Sequence, residues 1–313
     1  MSESNSKIGG AAQAGAILGV QHTAPAFTVP PSACDCHTHV FGPAARYPYW
    51  AGRAYTPGDA SIAQLQALHR ALGIARVVIV HPSPYGANNA CSVDAVRQIG
   101  ANARGVAVID KNTTDAQLQD MHVAGMRGAR VNLETGGIKD PQAAGEALMW
   151  TAKRVAPLGW HVQTFTNLTT LAGVHRVAQQ LPTPLVVDHI GHARAELGTG
   201  QTGFAQLLDL VASGKAYVKL SAQQRVSTLP DCADVAPLVK ALVQANPERM
   251  LWGSDWPHPG GKRGGPLDEI EPFQPVNDGD ALNRLAQWAV DATGDTAIMQ
   301  KILADNPARL YDF

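Results

Sequence analysis

Eight times between residues 33 and 312 the chain repeats one pattern: a short apolar, β-branched run, then a longer stretch of helical period. The runs read SACDCHTHV, ARVVIVHP, RGVAVID, RGARVNL, GWHVQTFT, PLVVDHI, AYVKLSA and RMLWGSD. Between them lie SIAQLQALHRALG, NNACSVDAVRQIG, TDAQLQDMHVAG, GEALMWTAKRVAPL, TTLAGVHRVAQQL, FAQLLDLVAS and DVAPLVKALVQAN; ALNRLAQWAVDAT and TAIMQKILAD follow the last. The runs are apolar on both faces, as strands buried between two layers must be. Regular alternation of strand and helix implies a parallel sheet, because each helix returns the chain to start the next strand in the same direction. Eight such units over residues 31–313 suit a single-domain α/β fold, the closed (β/α)8 TIM barrel. An open doubly wound sheet is the competing arrangement, but its G-x-G-x-x-G turn after the first strand is absent. Residues 1–30 are rich in Ala, Gly, Ser and Pro without apolar period and read as a flexible N-terminal arm.

Composition removes several classes of function. Only 16% of residues are charged and the net charge is −1. Without a basic stripe, nucleic acid is not an expected partner. No apolar run reaches the roughly 18–20 residues of a membrane span. The first residues lack the basic and apolar regions of a signal peptide. Four cysteines in 313 residues do not make a disulfide framework, so free thiols and the cytoplasm are the default expectation.

In a barrel of this kind the chemistry gathers at the C-terminal ends of the strands. Those ends are polar here. The first run carries His37 and His39, the second His81 and Ser83, the fourth Arg130 and Asn132, and the sixth Asp188 and His189. Arg225 follows the seventh, and the eighth ends at Asp255. Strand alternation puts Asp35, His37 and His39 on one face of the first run and Cys34, Cys36 and Thr38 on the other. With the histidines facing the site, the cysteines are expected to face the helix layer, as packing rather than as ligands.

D-x-H-x-H at 35–39, D-H-x-G at 188–191 and W-G-S-D-W-P-H at 252–258 together resemble the amidohydrolase superfamily. HTHVFGP (37–43), GMRGARVNL (125–133), GWHV (159–162), VVDHIG (186–191), WGSDWPHP (252–259) and NPARLY (306–311) resemble its branch of 2-pyrone-4,6-dicarboxylate hydrolases and related lactonases. The resemblance spans residues 32 to 312. It implies a hydrolase that opens a small anionic lactone. Asp255 would activate water as general base, and His37, His39 and His189 would polarise the carbonyl. Arg130 and Arg225 match positions that contact substrate carboxylate in that branch, and Tyr55 and Ser83 match polar contacts.

Many amidohydrolases hold a divalent ion with the first-strand histidines, a fifth-strand histidine and the last aspartate. Here His161 comes early in the fifth strand and Phe165 ends it. A metal-free site is therefore expected, with no cofactor required; the alternative is one divalent cation such as Zn on His37, His39 and Asp255. The chain departs from the branch in carrying Gly136 in place of a second arginine and Phe165 in place of a tyrosine. His192 stands where an arginine usually follows D-H-x-G, with Arg194 nearby. Lys262 and Arg263 in the loop after the last strand could supply the missing cation, or face another anion such as the sulfonate of 4-sulfomuconolactone. A decarboxylase or amidase of the same superfamily, and a non-catalytic binding barrel, are the rival functions.

Overall fold

The computed structural model describes residues 16–260 and 265–313. Eight parallel strands pair in strict chain order. They are β1 (Cys34–Thr38), β2 (Arg76–Val80), β3 (Ala103–Ala107), β4 (Met126–Asn132), β5 (His161–Phe165), β6 (Leu185–Val187), β7 (Ala216–Lys219) and β8 (Met250–Leu251). The seam between β8 and β1 is closed beyond the regular ladder. Cys36 N donates to Trp252 O at 2.9 Å, Asp255 N to His37 O at 2.8 Å and His39 N to Trp256 O at 2.8 Å. The last strand, Met250–Leu251, is shorter than RMLWGSD suggests, and beyond it Asp255 lies in the left-handed region at φ 68°. The expected (β/α)8 barrel is the observed fold.

The longer helices of the outer layer are α1 (Ile62–Leu72), α2 (Ala90–Ile99), α3 (Asp115–Val123), α4 (Pro141–Val155), α5 (Leu168–Gln180), α6 (Phe204–Ala212), α7 (Ala236–Ala245) and α8 (Asp278–Thr293). Local sequence starts them. Ser61 Oγ accepts from Gln64 N while Gln64 Oε1 accepts from Ser61 N, a reciprocal cap that Thr114 and Gln117 repeat on α3. None is long and apolar enough to cross a membrane.

Strand alternation divides the apolar residues into two bodies. Val77, Ile79, Val162, Leu185, Val187, Val218 and Met250 pack outward against the helices. Val78, Val80, Val106, Val186, Tyr217 and Leu251 fill the lumen, together with Tyr311 from the C-terminal helix. Cys34 and Cys36 belong to this lumen cluster, which corrects the expectation that they face the helix layer. The pairing of β1 with β2 shifts register between Asp35 and Thr38. A bulge adds one residue and re-aims the side chains beyond it. Cys34 and Cys36 therefore point inward before it, and His37 and His39 point inward after it. Asp35 consequently faces outward, where its Oδ2 meets His69 of α1 at 3.2 Å and Ser254 Oγ at 2.6 Å. The cysteines still act as packing, and all four in the chain are free.

The flexible-arm expectation falls, for residues 1–15, outside the described residues. Residues 16–30 lie against α8: Thr23 N donates to Asn277 Oδ1 at 3.0 Å and Ala26 N to Asn283 Oδ1 at 2.7 Å. Thr56–Pro57 pairs in parallel with Ile270–Glu271, and Tyr55 just before it lies beside the strand ends.

Candidate active site

Asp255 is the hub of the polar strand ends. Its Oδ1 lies 3.6 Å from Nε2 of His37, of His39 and of His189, and its Oδ2 accepts from Arg225 Nε at 2.9 Å. The carboxylate is 1% exposed. Burial opposes its ionisation, but Arg225 and the surrounding His189, His39 and His37 outweigh that and hold the carboxyl well below the usual range. Several residues here occupy the left-handed region, among them His189 at φ 50°, Asp255 at φ 68° and His258 at φ 65°. Such strain in residues other than glycine gathers where function over-determines the backbone. Asp35 supports the group from behind, since its Oδ1 accepts from His37 N at 3.2 Å and Ser254 N at 2.9 Å. It orients the backbone of His37 rather than the ring.

The outer nitrogens of the rings decide what each imidazole can do. His39 Nδ1 is 2.8 Å from Val80 O, a group that only accepts, so Nδ1 carries the proton. His189 Nδ1 is 2.8 Å from Ser221 Oγ, whose own proton goes toward Lys219 O at 3.4 Å. His39 and His189, when neutral, therefore turn bare Nε2 lone pairs toward Asp255. Burial pushes the imidazolium of His189 well below its ordinary range. His37 is fully buried, and burial with Lys219 alongside pushes its pKa down to about 4. Its Nε2 has no hydrogen-bond partner among the described residues.

A second polar layer lies beneath. Asp188 Oδ2 accepts from Gln163 Nε2 at 3.0 Å and lies 3.3 Å from Arg130 Nη2. Lys219 Nζ donates to Gln163 Oε1 at 2.7 Å and sits 3.4 Å from Asp188 Oδ1. Burial works against the Asp188 carboxylate, yet His37, Lys219 and Arg130 hold its carboxyl well below the usual range. Sequence reasoning missed Lys219. Its signal was a lone charge inside the apolar run AYVKL, which a buried strand does not tolerate without partners.

His39, Tyr55, Ser83, Arg130, His189, Arg225 and Asp255 all line one pocket at the strand ends, with Asn132, Thr135 and Phe165. Its free volume is about 30 Å³, room for a water-sized group between these side chains. His37 does not line it and lies a layer below. Arg130 stacks over the Phe165 ring at 5.3 Å, and its Nε is buried without a partner. Arg225 also donates from Nη2 to Pro259 O. Arg130, Arg225 and Lys219 face the carboxylates of Asp188 and Asp255; burial pulls the Lys219 ammonium below its ordinary range, and Asp188 opposes that.

Other polar residues from the strand ends serve structure. His81 spends both nitrogens on Ser92 Oγ and Gly86 O, each at 3.0 Å. His161 lies low in the barrel with its ring edge-to-face on Tyr311. Arg194 pairs at the surface with Glu196. His192 packs edge-on against Phe165. A side chain at Gly136 would begin 2.7 Å from Asn132 O, so an arginine there would require the loop to move. Lys262 and Arg263 lie outside the described residues.

A divalent cation fits the donor set on one count, the bare lone pairs of His39 and His189 beside Asp255. The group whose candidate ligand atoms lie within 4.8 Å of one another is His37, His189 and Asp255. It contains His189 where the sequence-based alternative had His39, although both lie 3.6 Å from Asp255 Oδ1.

The model of the Amidohydrolase family matches residues 34–313. The chain belongs to the amidohydrolase family. Among its relatives, a 2-pyrone-4,6-dicarboxylate hydrolase from Comamonas testosteroni is 38% identical over 92% of this chain and 92% of its own. A 4-sulfomuconolactone hydrolase from Rhizobium radiobacter is 35% identical over 91% of each chain. An apo crystal structure from Agrobacterium tumefaciens superposes with a TM-score of 0.77 at 25% identity, covering 92% of this chain and 98% of that one. Amidohydrolase barrels are thus the frame in which the Asp255 hub is to be understood.

Proposed function

We propose that this chain hydrolyses a small anionic lactone, with Asp255 as general base. The observation that carries the reading is the convergence of three imidazole Nε2 atoms on Asp255 Oδ1, each at 3.6 Å, beside a cationic pocket. The two relatives named above, both lactone hydrolases by name, support the substrate class.

The chemistry follows from proton placement. Water in the pocket donates to Asp255 Oδ1 and to a bare Nε2 of His39 or His189, which leaves an oxygen lone pair for the lactone carbonyl. Asp255 takes the water's proton as the C–O bond forms, a contribution of roughly 10²–10⁴-fold. The ring C–O bond then breaks and Asp255 returns the proton to the departing enol or alkoxide. The developing oxyanion lies in the positive field of Arg130 and Arg225. Neutral His39 cannot polarise the carbonyl from Nε2, because its single proton is committed to Val80 O. The Arg225 contact makes resting Asp255 a weak base. A substrate carboxylate that shares the guanidinium loosens that contact and strengthens the base in the complex. Arg130, whose buried Nε has no partner among the described residues, is the second anchor for the anion.

A divalent cation is the second reading, favoured by the lone pairs of His39 and His189. His37, His189 and Asp255, with His39 beside them, are the residues that would hold it. Bound zinc supplies Lewis acidity and lowers the pKa of its water to near 7.

The test is a panel of carboxylated and neutral lactones, assayed for ring opening alongside elemental analysis and a chelator control. Hydrolysis of the carboxylated members, retained after chelation, is the expected result. Turnover of amides or β-keto acids with no lactone opened would reject the function. Loss on chelation and recovery with zinc would transfer the site to the second reading.

A further inference from the structure

Lys219 has no part in the chemistry above, yet it is fully buried against it. Its Nζ is 2.7 Å from Gln163 Oε1, 3.4 Å from Asp188 Oδ1 and 3.2 Å from His37 Nδ1. The amide of Gln163 can face only one way here, because its Nε2 is taken by the Asp188 carboxylate at 3.0 Å. An ammonium in this position has three protons and three acceptors around it. A lysine ammonium has no lone pair, so a hydrogen bond between Nζ and Nδ1 leaves His37 Nδ1 as acceptor. Asp188 Oδ1 is equally near Nδ1, at 3.2 Å, and is the competing partner for that nitrogen.

We propose that Lys219 is the positioning residue that dictates what His37 presents to the base. By donating to Nδ1 it leaves the ring's single proton on Nε2, which faces Asp255 Oδ1 at 3.6 Å. The three imidazoles are then not equivalent. His37 turns an N–H toward the base carboxylate from below without a hydrogen bond to it, while His39 and His189 are acceptors toward the pocket. One donor and two acceptors around Oδ1 distinguish its two sides and aim its free lone pair at water. The same proton withholds the Nε2 lone pair of His37 from any cation. Were the Nδ1 proton instead given to Asp188, His37 would join a carboxylate–imidazole–metal arrangement, in which such outer partners change affinity by about 10–100-fold. Lys219 therefore sets the site toward water rather than metal. The catalytic consequence rests on the lactone-hydrolase reading; the proton placement does not.

The experiment uses chelator-treated full-length protein labelled with 15N at histidine. Long-range correlations between ring nitrogens and carbon-bound protons report each tautomer, and His37→Gln assigns the His37 signals. The parent is expected to show His37 protonated on Nε2 and His39 and His189 protonated on Nδ1. A His37 proton on Nδ1 in the parent overturns the proposal, whatever any variant does. In Lys219→Met, His37 is expected to shift its proton to Nδ1, and zinc affinity, read by competition with a chromophoric chelator, to rise about 10–100-fold. A folded variant with unchanged tautomer or zinc affinity overturns it too. If Lys219→Met does not fold, the parent spectrum alone decides. On carboxylated lactones the folded variant should lose about 10–100-fold in kcat with KM within about threefold. A parent with the stated tautomers that opens no lactone would reject the functional reading and leave the role of Lys219 standing.

Discussion

Replacing Asp255 by asparagine is the sharpest perturbation of the proposed chemistry, and the structure says why the variant should still fold. Oδ2 accepts from Arg225 Nε at 2.9 Å, whereas Oδ1 faces the bare Nε2 atoms of His39 and His189 at 3.6 Å. An asparagine amide can turn its oxygen to Arg225 and its NH2 to His39 and His189, and only the Nε2–H of His37 then lacks an acceptor. Arg225 keeps its bond to Pro259 O, so no buried charge is left without an acceptor. Loss of activity therefore cannot be assigned to misfolding if the thermal midpoint holds within a few degrees. The amide cannot take a proton from water. The general-base contribution of roughly 10²–10⁴-fold disappears, which corresponds to about 2.7–5.5 kcal/mol of transition-state stabilisation. KM should change little, because the pocket's cations stay in place. Initial rates of ring opening across a concentration series separate the two constants. A folded Asp255→Asn enzyme with more than about a tenth of the parent kcat would refute the assignment of the base.

Arg130→Met should raise KM for carboxylated lactones about 10–100-fold, the value of one charged hydrogen bond, and leave neutral lactones untouched; an equal effect on both would remove Arg130 from anion recognition. Acid should destabilise the fold through its buried neutral histidines. Burial lowers His81 and His161 to about 3 and His37 to about 4, against about 6.5 unfolded. Their stabilisation is complete above pH about 6.5 and is lost as the pH falls to about 4 for His37 and about 3 for His81 and His161, because over that interval only the unfolded chain takes up the protons. Between pH 7 and 5 each should cost about 2 kcal/mol, and a urea midpoint unchanged over that interval would contradict it. His161→Leu should blunt the loss by one histidine's share and leave stability at pH 7 equal or higher, since both ring nitrogens of His161 are buried without partners; a variant as acid-sensitive as the parent would count against this.

Much of the site was legible before any coordinates. Asp255, His37, His39, His189, Arg130 and Arg225 were named from their places at the ends of strand-like runs, and they converge because a parallel barrel gathers its C-terminal strand ends at one rim. The alternation argument failed at one place. A bulge between Asp35 and Thr38 shifts facing by one residue, so Cys34 and Cys36 line the lumen and Asp35 turns to α1. Nothing in CDCHTH announces it, since the bulge is held by long-range bonds, from Ser254 to Asp35 and from Asp255 to His37. Lys219 was passed over for a related reason. A lysine in an apolar run has meaning only through its partners, and Gln163, Asp188 and His37 come from three other strands.

Period, alternation and strand order, all local properties of the chain, were enough to specify the barrel, the rim where chemistry can occur and the residue types present there. Which atom of each residue is available came from packing between distant segments. That packing committed the Nδ1 proton of His39 to Val80 and that of His189 to Ser221, set Lys219 against His37, and placed Arg225 on the base. Proton positions depend on neighbours brought in from far along the chain, and no local pattern encodes them.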